Sequence, residues 1–302
     1  MLSKLQFFEP GGSTHEPPPD RDVQQAIERH FHSIGHPVRI TPAKGGTLGL
    51  CFHLERGGAR LFLKTHLPGE RPRANLAKEA DILVRLYGET VVLDRIEVRP
   101  QECATRLCVL MAELSPLSAP LSAEGAAETV RGLTNRIGEY RPAAMPAEWD
   151  FEHYLAVGLA AIPALEERGL IAQQTATRLG GALELLEGEL GTLPRSLCHG
   201  DFGPKNTMAA GSQIVAIDWE DAFWGVSGYD YLYWLTFVDN RPFLHSAAFG
   251  RTGLEPAVER AILALVVLLK SYLSVRAGTY LRNAIPIETR IAEVFAIPGL
   301  GS

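Results

Sequence analysis

The chain has 302 residues, of which 46% are hydrophobic and 21% are charged, and its formal net charge is −6. This length suffices for two lobes of ordinary domain size, and the composition is that of a globular rather than a disordered or fibrous protein. Residues 1–114 carry 15 Lys and Arg against 14 Asp and Glu, and residues 115–302 carry 14 against 21, giving net charges of +1 and −7. Because neither part is basic, we expect no nucleic-acid partner.

The cysteines and the apolar segments indicate a cytoplasmic protein. The four cysteines lie in apolar stretches and lack the spacing of a zinc site or a disulfide framework. The first 20 residues break into Gly and Pro and contain no segment typical of a signal peptide. The most apolar run, at 261–269, is shorter than the roughly 20 residues that span a bilayer. We therefore expect reduced thiols and no membrane association, while the oligomeric state is left open.

After a flexible arm at 1–21, residues 22–114 are predicted to form a lobe in which a helix covers an antiparallel sheet. Alternating apolar residues at 38–67 are typical of strands, and the sequence RGG at 56–58 is a hairpin signal. The predicted elements are a helix at 22–35, three strands within 38–67, a helix at 71–88, and strands at 91–98 and 106–114.

Residues 115–302 are predicted to be mainly helical, because Ala, Leu and Glu dominate there. The expected helices lie at 122–138, 151–168, 171–190, 229–237 and 256–276. The exception is 196–219, which is typical of a loop and a short hairpin inserted among helices. Since the composition changes near 114–120, we place the boundary between the two lobes there.

A polar motif, SLCHGDFGPKN at 196–206, directly follows a short apolar run. His-Gly-Asp alone is common in turns. Asn206 follows Asp201 by five residues, and Asp218 ends the apolar strand IVAI, so two acids and an amide can converge across a hairpin. Phosphoryl transfer needs a carboxylate that orients the attacking hydroxyl, and oxygen ligands for Mg²⁺. The motif therefore predicts Asp201 as the catalytic base, with Asn206 and Asp218 as metal ligands; the alternative is a loop capped by its own side chains.

The first lobe supplies the other groups that this hypothesis requires. Lys64, near the end of a predicted strand, could hold the nucleotide phosphates, and Glu79 in the helix at 71–88 could pair with it. The turn KGGTLG at 44–49 contains Gly46 and Thr47, whose backbone N–H groups could approach the phosphates. The alternatives are an edge-strand lysine and a solvated helical acid.

At these residues the sequence resembles the aminoglycoside phosphotransferases and choline kinase-like enzymes, which share the protein-kinase fold. The most specific part is CHGDFGPKNTM followed by VAIDWEDAFWGVSGYDYLYWL, and the order of elements agrees over most of 22–302. The resemblance implies an α+β protein with a small antiparallel-sheet N-lobe, which binds the nucleotide, and a larger, mainly helical C-lobe with the catalytic loop and the acceptor site.

The resemblance implies the same roles for the five charged and amide residues above, and it adds three. Asp230 would brace the catalytic loop from the start of the next helix. The segment LMAEL at 110–114 would be the hinge, where the backbone C=O of Ala112 and the backbone N–H of Leu114 bond the adenine. The cofactors implied are ATP, or alternatively GTP, and Mg²⁺.

The chain departs from that family at Lys205, which replaces the glycine of a common His-Pro-Gly-Asn. The lysine would touch a phosphate or the acceptor, or would face solvent. The turn at 44–49 is not a complete GxGxxG, and HRD, DFG and APE are absent from the sequence, so a eukaryotic-type protein kinase is disfavoured.

The sequence predicts a kinase for a hydroxyl of a small molecule, most specifically an aminoglycoside or a related cationic antibiotic. Choline, homoserine, methylthioribose and other sugars or amino alcohols are alternative acceptors, and a catalytically silent binding protein is an alternative of another class. The aromatic run at 223–234 is read as core rather than as an acceptor pocket, and His199 as a brace for the loop. Glu220 and Asp221 are either ligands for a cationic acceptor or exposed acids.

Overall fold

The structure is a computed structural model that describes residues 21–43, 49–101, 104–143 and 150–298. The flexible arm predicted at 1–21 lies outside these residues, except for Arg21. Gly46 and Thr47 also lie outside them. The boundary predicted near 114–120 remains a prediction.

The first part of the chain is built on a five-stranded antiparallel sheet with the order β1-β2-β3-β5-β4. Its elements are α1 (Arg21–Ser33), β1 (Arg39–Pro42), β2 (Gly49–Arg56), β3 (Ala59–His66), α2 (Glu70–Tyr87), β4 (Val92–Val98) and β5 (Arg106–Ala112). Gly57 and Gly58 join β2 to β3 and have φ angles of +58° and +84°. Positive φ at both positions is what a tight hairpin turn requires, so the predicted hairpin is confirmed.

Two helices, rather than the one predicted, pack against this sheet. The side chains of β3 alternate, so that Leu61 and Leu63 join the core formed with α1, which includes Val23 and Phe31. Lys64, the residue after Leu63, therefore faces the opposite side, toward α2. The alternation of side chains along β3 therefore places Lys64 on the side of the sheet that faces α2.

The second part is mainly helical, as predicted. Its helices are α3 (Ala123–Ile137), α4 (Phe151–Glu166), α5 (Gln173–Glu189), α6 (Tyr229–Leu235), α7 (Arg241–Ser246), α8 (Pro256–Arg276) and α9 (Ile287–Ala296). The apolar run 261–269 is buried in α8, which packs against α4, α5, α6 and α9. Of the described helices, none has both the length and the apolar character needed to cross a membrane.

Short strands lie between these helices, and their pairing brings two loops next to each other. They are β6 (Ser115–Pro116), β7 (Arg195–Cys198), β8 (Thr207–Ala210), β9 (Gln213–Ala216) and β10 (Phe223–Val226). Strand β10 pairs with β7, and β8 pairs with both β9 and β6, all antiparallel. Cys198 lies opposite Phe223 and Thr207 lies opposite Ala216, so the loops 199–206 and 217–222 leave the strands together. We call them the catalytic loop and the metal loop, after the roles that the sequence predicts for Asp201 and Asp218.

Candidate active site

Lys64 is bound by two carboxylates in the cleft between the sheet and the helices. Its Nζ lies 2.7 Å from Glu79 Oε2 and 2.6 Å from Asp218 Oδ1. The backbone N–H of Asp218 donates to the other oxygen of Glu79 at 3.2 Å. Glu79 therefore links β3 to the metal loop, and the pairing of Lys64 with Glu79 that the sequence indicated is present.

The protonation of this cluster follows from burial and pairing. Burial by itself lowers the pKa of Lys64, but Asp218, Glu79 and Glu220 outweigh it and raise that pKa well above its ordinary value. Burial raises the pKa of Glu79, and Lys64 partly offsets the rise. Lys64 is consequently a fixed positive charge at neutral pH, which suits a group that holds phosphates.

Asp218 has a left-handed backbone, with φ 68° and ψ 53°. It is the sole non-glycine residue with positive φ in the part of the chain that the structure describes. Such a conformation costs about 1–3 kcal/mol and is found preferentially at functional sites. The neighbouring residues hold it, because Trp219 Nε1 donates to the carbonyl of Ala216 at 2.8 Å, and His199 Nε2 lies 2.8 Å from the carbonyl of Ile217.

Asp230 braces the catalytic loop, as the resemblance implied. Its carboxylate accepts the backbone N–H of His199 at 2.7 Å and that of Gly200 at 3.0 Å. Gly200 has φ +80°, and a Cβ there would lie 2.3 Å from the carbonyl oxygen of Asp221. The loop can therefore approach the metal loop this closely only with glycine at this position.

His199 is fully buried and bonded at both ring nitrogens. Nδ1 lies 3.3 Å from the backbone N–H of Asp201, and Nε2 contacts a carbonyl oxygen. Nδ1 must accept and Nε2 must donate, so the contacts fit a neutral imidazole. These contacts agree with the prediction that His199 braces the loop.

Asp201 and Asn206 lie within the catalytic loop and are joined through the backbone. The side-chain amide of Asn206 donates to the backbone carbonyl of Asp201 at 2.8 Å, which leaves the amide oxygen of Asn206 out of that bond. The hydroxyl of Tyr233 donates to Asp201 Oδ1 at 2.6 Å. Tyr233 was not predicted as a site residue, because its aromatic neighbours belong to the core. Its position one helical turn after Asp230 could have indicated that it lies near the catalytic loop.

A cavity of about 430 Å³ opens between the sheet and the catalytic and metal loops. Lys64 and Glu79 line it, and so do Asn206 and Asp218. Its remaining lining residues are Cys51, His53, Phe62, Met111, Ala112, Glu113, Leu114, Lys205, Met208 and Ile217. The structure thus brings the predicted hinge residues and metal ligands to one cavity, with Lys205 on its wall, whereas Asp201 lies outside the cavity lining.

Glu220 and Asp221 are 6% and 2% exposed, so the interpretation of them as exposed acids is wrong. Their alternative role as ligands for a cationic acceptor remains a prediction. Lys78 of α2, fully buried, donates to the backbone carbonyls of Glu220 at 2.6 Å and Ala222 at 3.1 Å. Burial lowers the pKa of Lys78 to about 7 and raises that of Glu220 to about 8. Lys78 was missed because an adjacent lysine and glutamate on a helix normally face solvent.

The profile of the phosphotransferase enzyme family matches residues 39–262, from β1 to α8. This range contains the entire cluster around Lys64 and both loops. The chain belongs to the phosphotransferase enzyme family. No curated protein is significantly similar to it in sequence.

Solved structures of phosphotransferases share this fold at low sequence identity. A thermostable mutant of the aminoglycoside phosphotransferase APH(4)-Ia, in ternary complex with ADP and hygromycin B, is 15% identical over 91% of this chain and 100% of that one, with a TM-score of 0.55. A microcompartment-associated aminopropanol kinase is 18% identical over 91% and 94%, with a TM-score of 0.56. The spectinomycin phosphotransferase APH(9)-Ia, in complex with ADP and spectinomycin, is 11% identical over 90% and 98%, with a TM-score of 0.54.

Together these findings confirm the predicted fold and enzyme class. This member of the phosphotransferase enzyme family is a small-molecule kinase with a two-lobe, protein-kinase-like α+β fold. Two of these solved structures, those of APH(4)-Ia and APH(9)-Ia, contain bound ADP.

Proposed function

We propose that this enzyme transfers the γ-phosphoryl group of Mg²⁺-bound ATP to a hydroxyl of a small molecule. The observation that supports the proposal most strongly is the position of Lys64. It binds Glu79 and Asp218 at the wall of a cavity that Asn206 and the hinge also line. A buried ammonium beside two oxygen ligands is the arrangement that phosphoryl transfer needs.

The hinge would hold the adenine through two backbone groups. The N–H of Ala112 is already bonded to the carbonyl of Val91 at 2.9 Å. The groups that the resemblance implies for the adenine are the C=O of Ala112 and the N–H of Leu114, and both residues line the cavity. Phe62, Met111 and Ile217 give that end of the cavity an apolar lining suited to a purine ring.

The metal site would consist of the amide oxygen of Asn206 and a carboxylate oxygen of Asp218. These hard oxygen donors fit Mg²⁺, which commonly takes one or two protein ligands and completes its shell with water and phosphates. Among the described residues there is no cluster of three or more His, Cys, Asp and Glu side chains that could hold a metal ion. When bound, Mg²⁺ would neutralise the charge of the phosphates.

Asp201 would orient the acceptor and accept its proton. The bond from Tyr233 to Oδ1 would fix the orientation of the carboxylate toward the acceptor hydroxyl. The hydroxyl oxygen forms the new bond to the γ-phosphorus, its proton passes to Asp201, and the bond from phosphorus to the β,γ-bridging oxygen breaks to release ADP. Lys64 would hold the phosphates in line for this step.

For the acceptor, the class predicted from sequence is an aminoglycoside or related cationic antibiotic. The net charge of −7 over residues 115–302 supports it, as do relatives that bind hygromycin B and spectinomycin. The aminopropanol kinase supports the alternative of a small amino alcohol. Cationic acceptors of both kinds belong in the first screen.

The test is calorimetric titration with ATP, with and without Mg²⁺, followed by ADP release over an acceptor panel. We expect Mg²⁺-dependent binding and turnover with at least one acceptor. Asp201→Asn should lower kcat about 10²–10⁴-fold and leave the Kd for ATP within twofold. Binding without turnover on any acceptor would favour the silent relative, and no ATP binding would contradict the proposal.

A further inference from the structure

A second, smaller pocket of about 40 Å³ lies between α6, α7, α8 and α9. Phe237 lines it and also touches the catalytic loop, since a Cβ on Gly203 would lie 2.3 Å from the Phe237 ring. The rings of Phe237 and Tyr233 are 5.7 Å apart, and Tyr233 bonds Asp201. Two aromatic side chains thus connect this pocket to the proposed catalytic base.

The walls of this pocket are apolar except at a few positions. Leu235, Val238 and Leu244 are among the apolar residues, and the charged ones are Arg241, Arg290 and Glu293. The apolar residues lower the polarity around the charged groups, although Val238 and the Arg241 side chain are in part open to solvent.

The pocket has two guanidinium groups and one carboxylate. Arg241 forms an ion pair with Glu293. Arg290 is only partly exposed, and its side chain has neither a hydrogen bond nor an ion pair within the described ranges. Burial lowers the pKa of Arg290, Glu293 opposes that effect and Arg241 adds to it. The pocket therefore has one positive charge more than its own side chains neutralise.

A third cation lies beside the same aromatic residues. Lys270 Nζ is 3.9 Å from the ring centroids of both Tyr233 and Phe237, and it donates to Thr236 Oγ1 at 2.7 Å. Lys270 therefore packs on the two rings that lie between the pocket and the catalytic loop.

We propose that this pocket binds a carboxylate or phosphate group of the acceptor, so that the physiological acceptor is a small hydroxylated anion. The inference rests on the proposed kinase function and replaces its cationic acceptor. A guanidinium presents parallel N–H donors that match a carboxylate or phosphate, and one such anion would balance the charge.

The overall charge of the C-lobe does not oppose this inference. Charges separated by more than about 8–10 Å are screened at physiological salt, so groups at the pocket dominate. Several of the acids also have partners of their own: Glu259 accepts from Thr252, and Glu288 accepts from Thr175 and from the N–H of Ala172. At the pocket itself, Arg241 and Arg290 face the single carboxylate of Glu293.

Two acceptor series that differ only in their charged end test the proposal. ADP release is measured with 3-hydroxypropionate and 4-hydroxybutyrate, and with 3-aminopropanol and 4-aminobutanol. We expect kcat/KM at least tenfold higher for the hydroxy acids, and a roughly tenfold increase in their KM in Arg290→Gln with the KM for ATP unchanged. Equal or better use of the amino alcohols, or an equal effect of Arg290→Gln on both series, would overturn it.

Two further variants separate charge recognition from folding. Arg290→Lys retains the charge without the planar fork and should give an intermediate KM for the hydroxy acids. Arg282→Gln, at an exposed arginine in the turn before α9, is the matched control and should behave as wild type. Loss of activity in Arg282→Gln equal to that in Arg290→Gln would contradict a specific role for the pocket.

Anion binding is also measured without nucleotide, which separates this inference from the proposed function. Propionate, which has no hydroxyl, should raise the Tm of the wild type and not that of Arg290→Gln. If the shift is absent or equal in both, the pocket inference fails even where amino alcohols are phosphorylated. If the shift is specific but no acceptor of either series turns over, the kinase proposal fails and the acceptor assignment falls with it.

Discussion

Two lysines are buried on either side of the metal loop, and they differ in what surrounds them. Lys64 of β3 lies between the carboxylates of Glu79 and Asp218, whereas Lys78 of α2 donates to two backbone carbonyls. The pKa of Lys64 rises well above its ordinary value, and burial brings the pKa of Lys78 down to about 7. The carboxylates of Asp218, Glu79 and Glu220 outweigh burial at Lys64, whereas those of Asp221, Glu220 and Glu79 offset burial at Lys78 only in part.

The comparison indicates that Lys64 serves the cavity and that Lys78 holds the structure together. The fixed charge of Lys64 faces the cavity, where phosphates would replace Asp218 as its partner. Lys78 lies out of the cavity and connects α2 to the segment that follows Asp218. Because Glu79 is adjacent to Lys78, α2 holds the metal loop by two successive side chains.

The largest effect is expected from Lys64→Met. Loss of a buried cation that holds phosphates should reduce kcat/KM for ATP about 10²–10³-fold. ADP release under steady-state conditions measures it, and circular dichroism checks that the fold is kept. A loss below fivefold would show that Lys64 only pairs with carboxylates.

Lys78→Met should act on stability more than on chemistry. Removing the amine leaves the carbonyls of Glu220 and Ala222 without their buried donor, which should cost about 1–3 kcal/mol of unfolding free energy at pH 8. Urea unfolding measures this, with Arg85→Met, at an exposed position of the same helix, as the control. If activity falls as far as in Lys64→Met while stability is unchanged, the contrast between the two lysines is wrong.

The same lysine should give a pH dependence of defined sign. Its folded pKa, about 7, lies below the ordinary value of 10.5, so the unfolded chain binds more protons between these values. The contribution of Lys78 to stability therefore rises with pH from 7 to 9, by about 2 kcal/mol. Glu220 titrates in this range with the opposite sign, so the measurement is the difference between wild type and Lys78→Met at each pH. A constant difference would contradict the assigned pKa.

A pair of tyrosines on α6 offers the smallest and most closely matched test. Tyr233 donates to Asp201, whereas the hydroxyl of Tyr229 is buried without a hydrogen bond among the described residues. Tyr233→Phe should reduce kcat about fivefold to tenfold with the KM for ATP unchanged, because Asp201 loses the donor that positions it. Tyr229→Phe should leave kcat unaltered. Equal kcat and KM values for the two variants would contradict the proposal that Tyr233 positions Asp201.

The order of elements and the core of the candidate site could be predicted from sequence, because the signals are local. Period-two alternation marked β2 and β3 and set the side that Lys64 faces. The spacing of Asp201 and Asn206 within one loop, with Asp218 at the end of a strand, indicated phosphoryl transfer before any contact was known. The family profile then confirmed the enzyme class.

Tertiary structure decided what depends on packing between distant segments. Lys78 carries no local signal of its own, since a lysine beside a glutamate on a helix resembles surface. Tyr233 lies one helical turn after Asp230, but a tyrosine in an aromatic helix resembles core. Arg241 and Arg290 lie on α7 and α9, and only folding brings them to one pocket with a single carboxylate between them. The sequence by itself determined the reaction class. The charge that the acceptor meets is a property of side chains from separate helices, so it was decided by the fold.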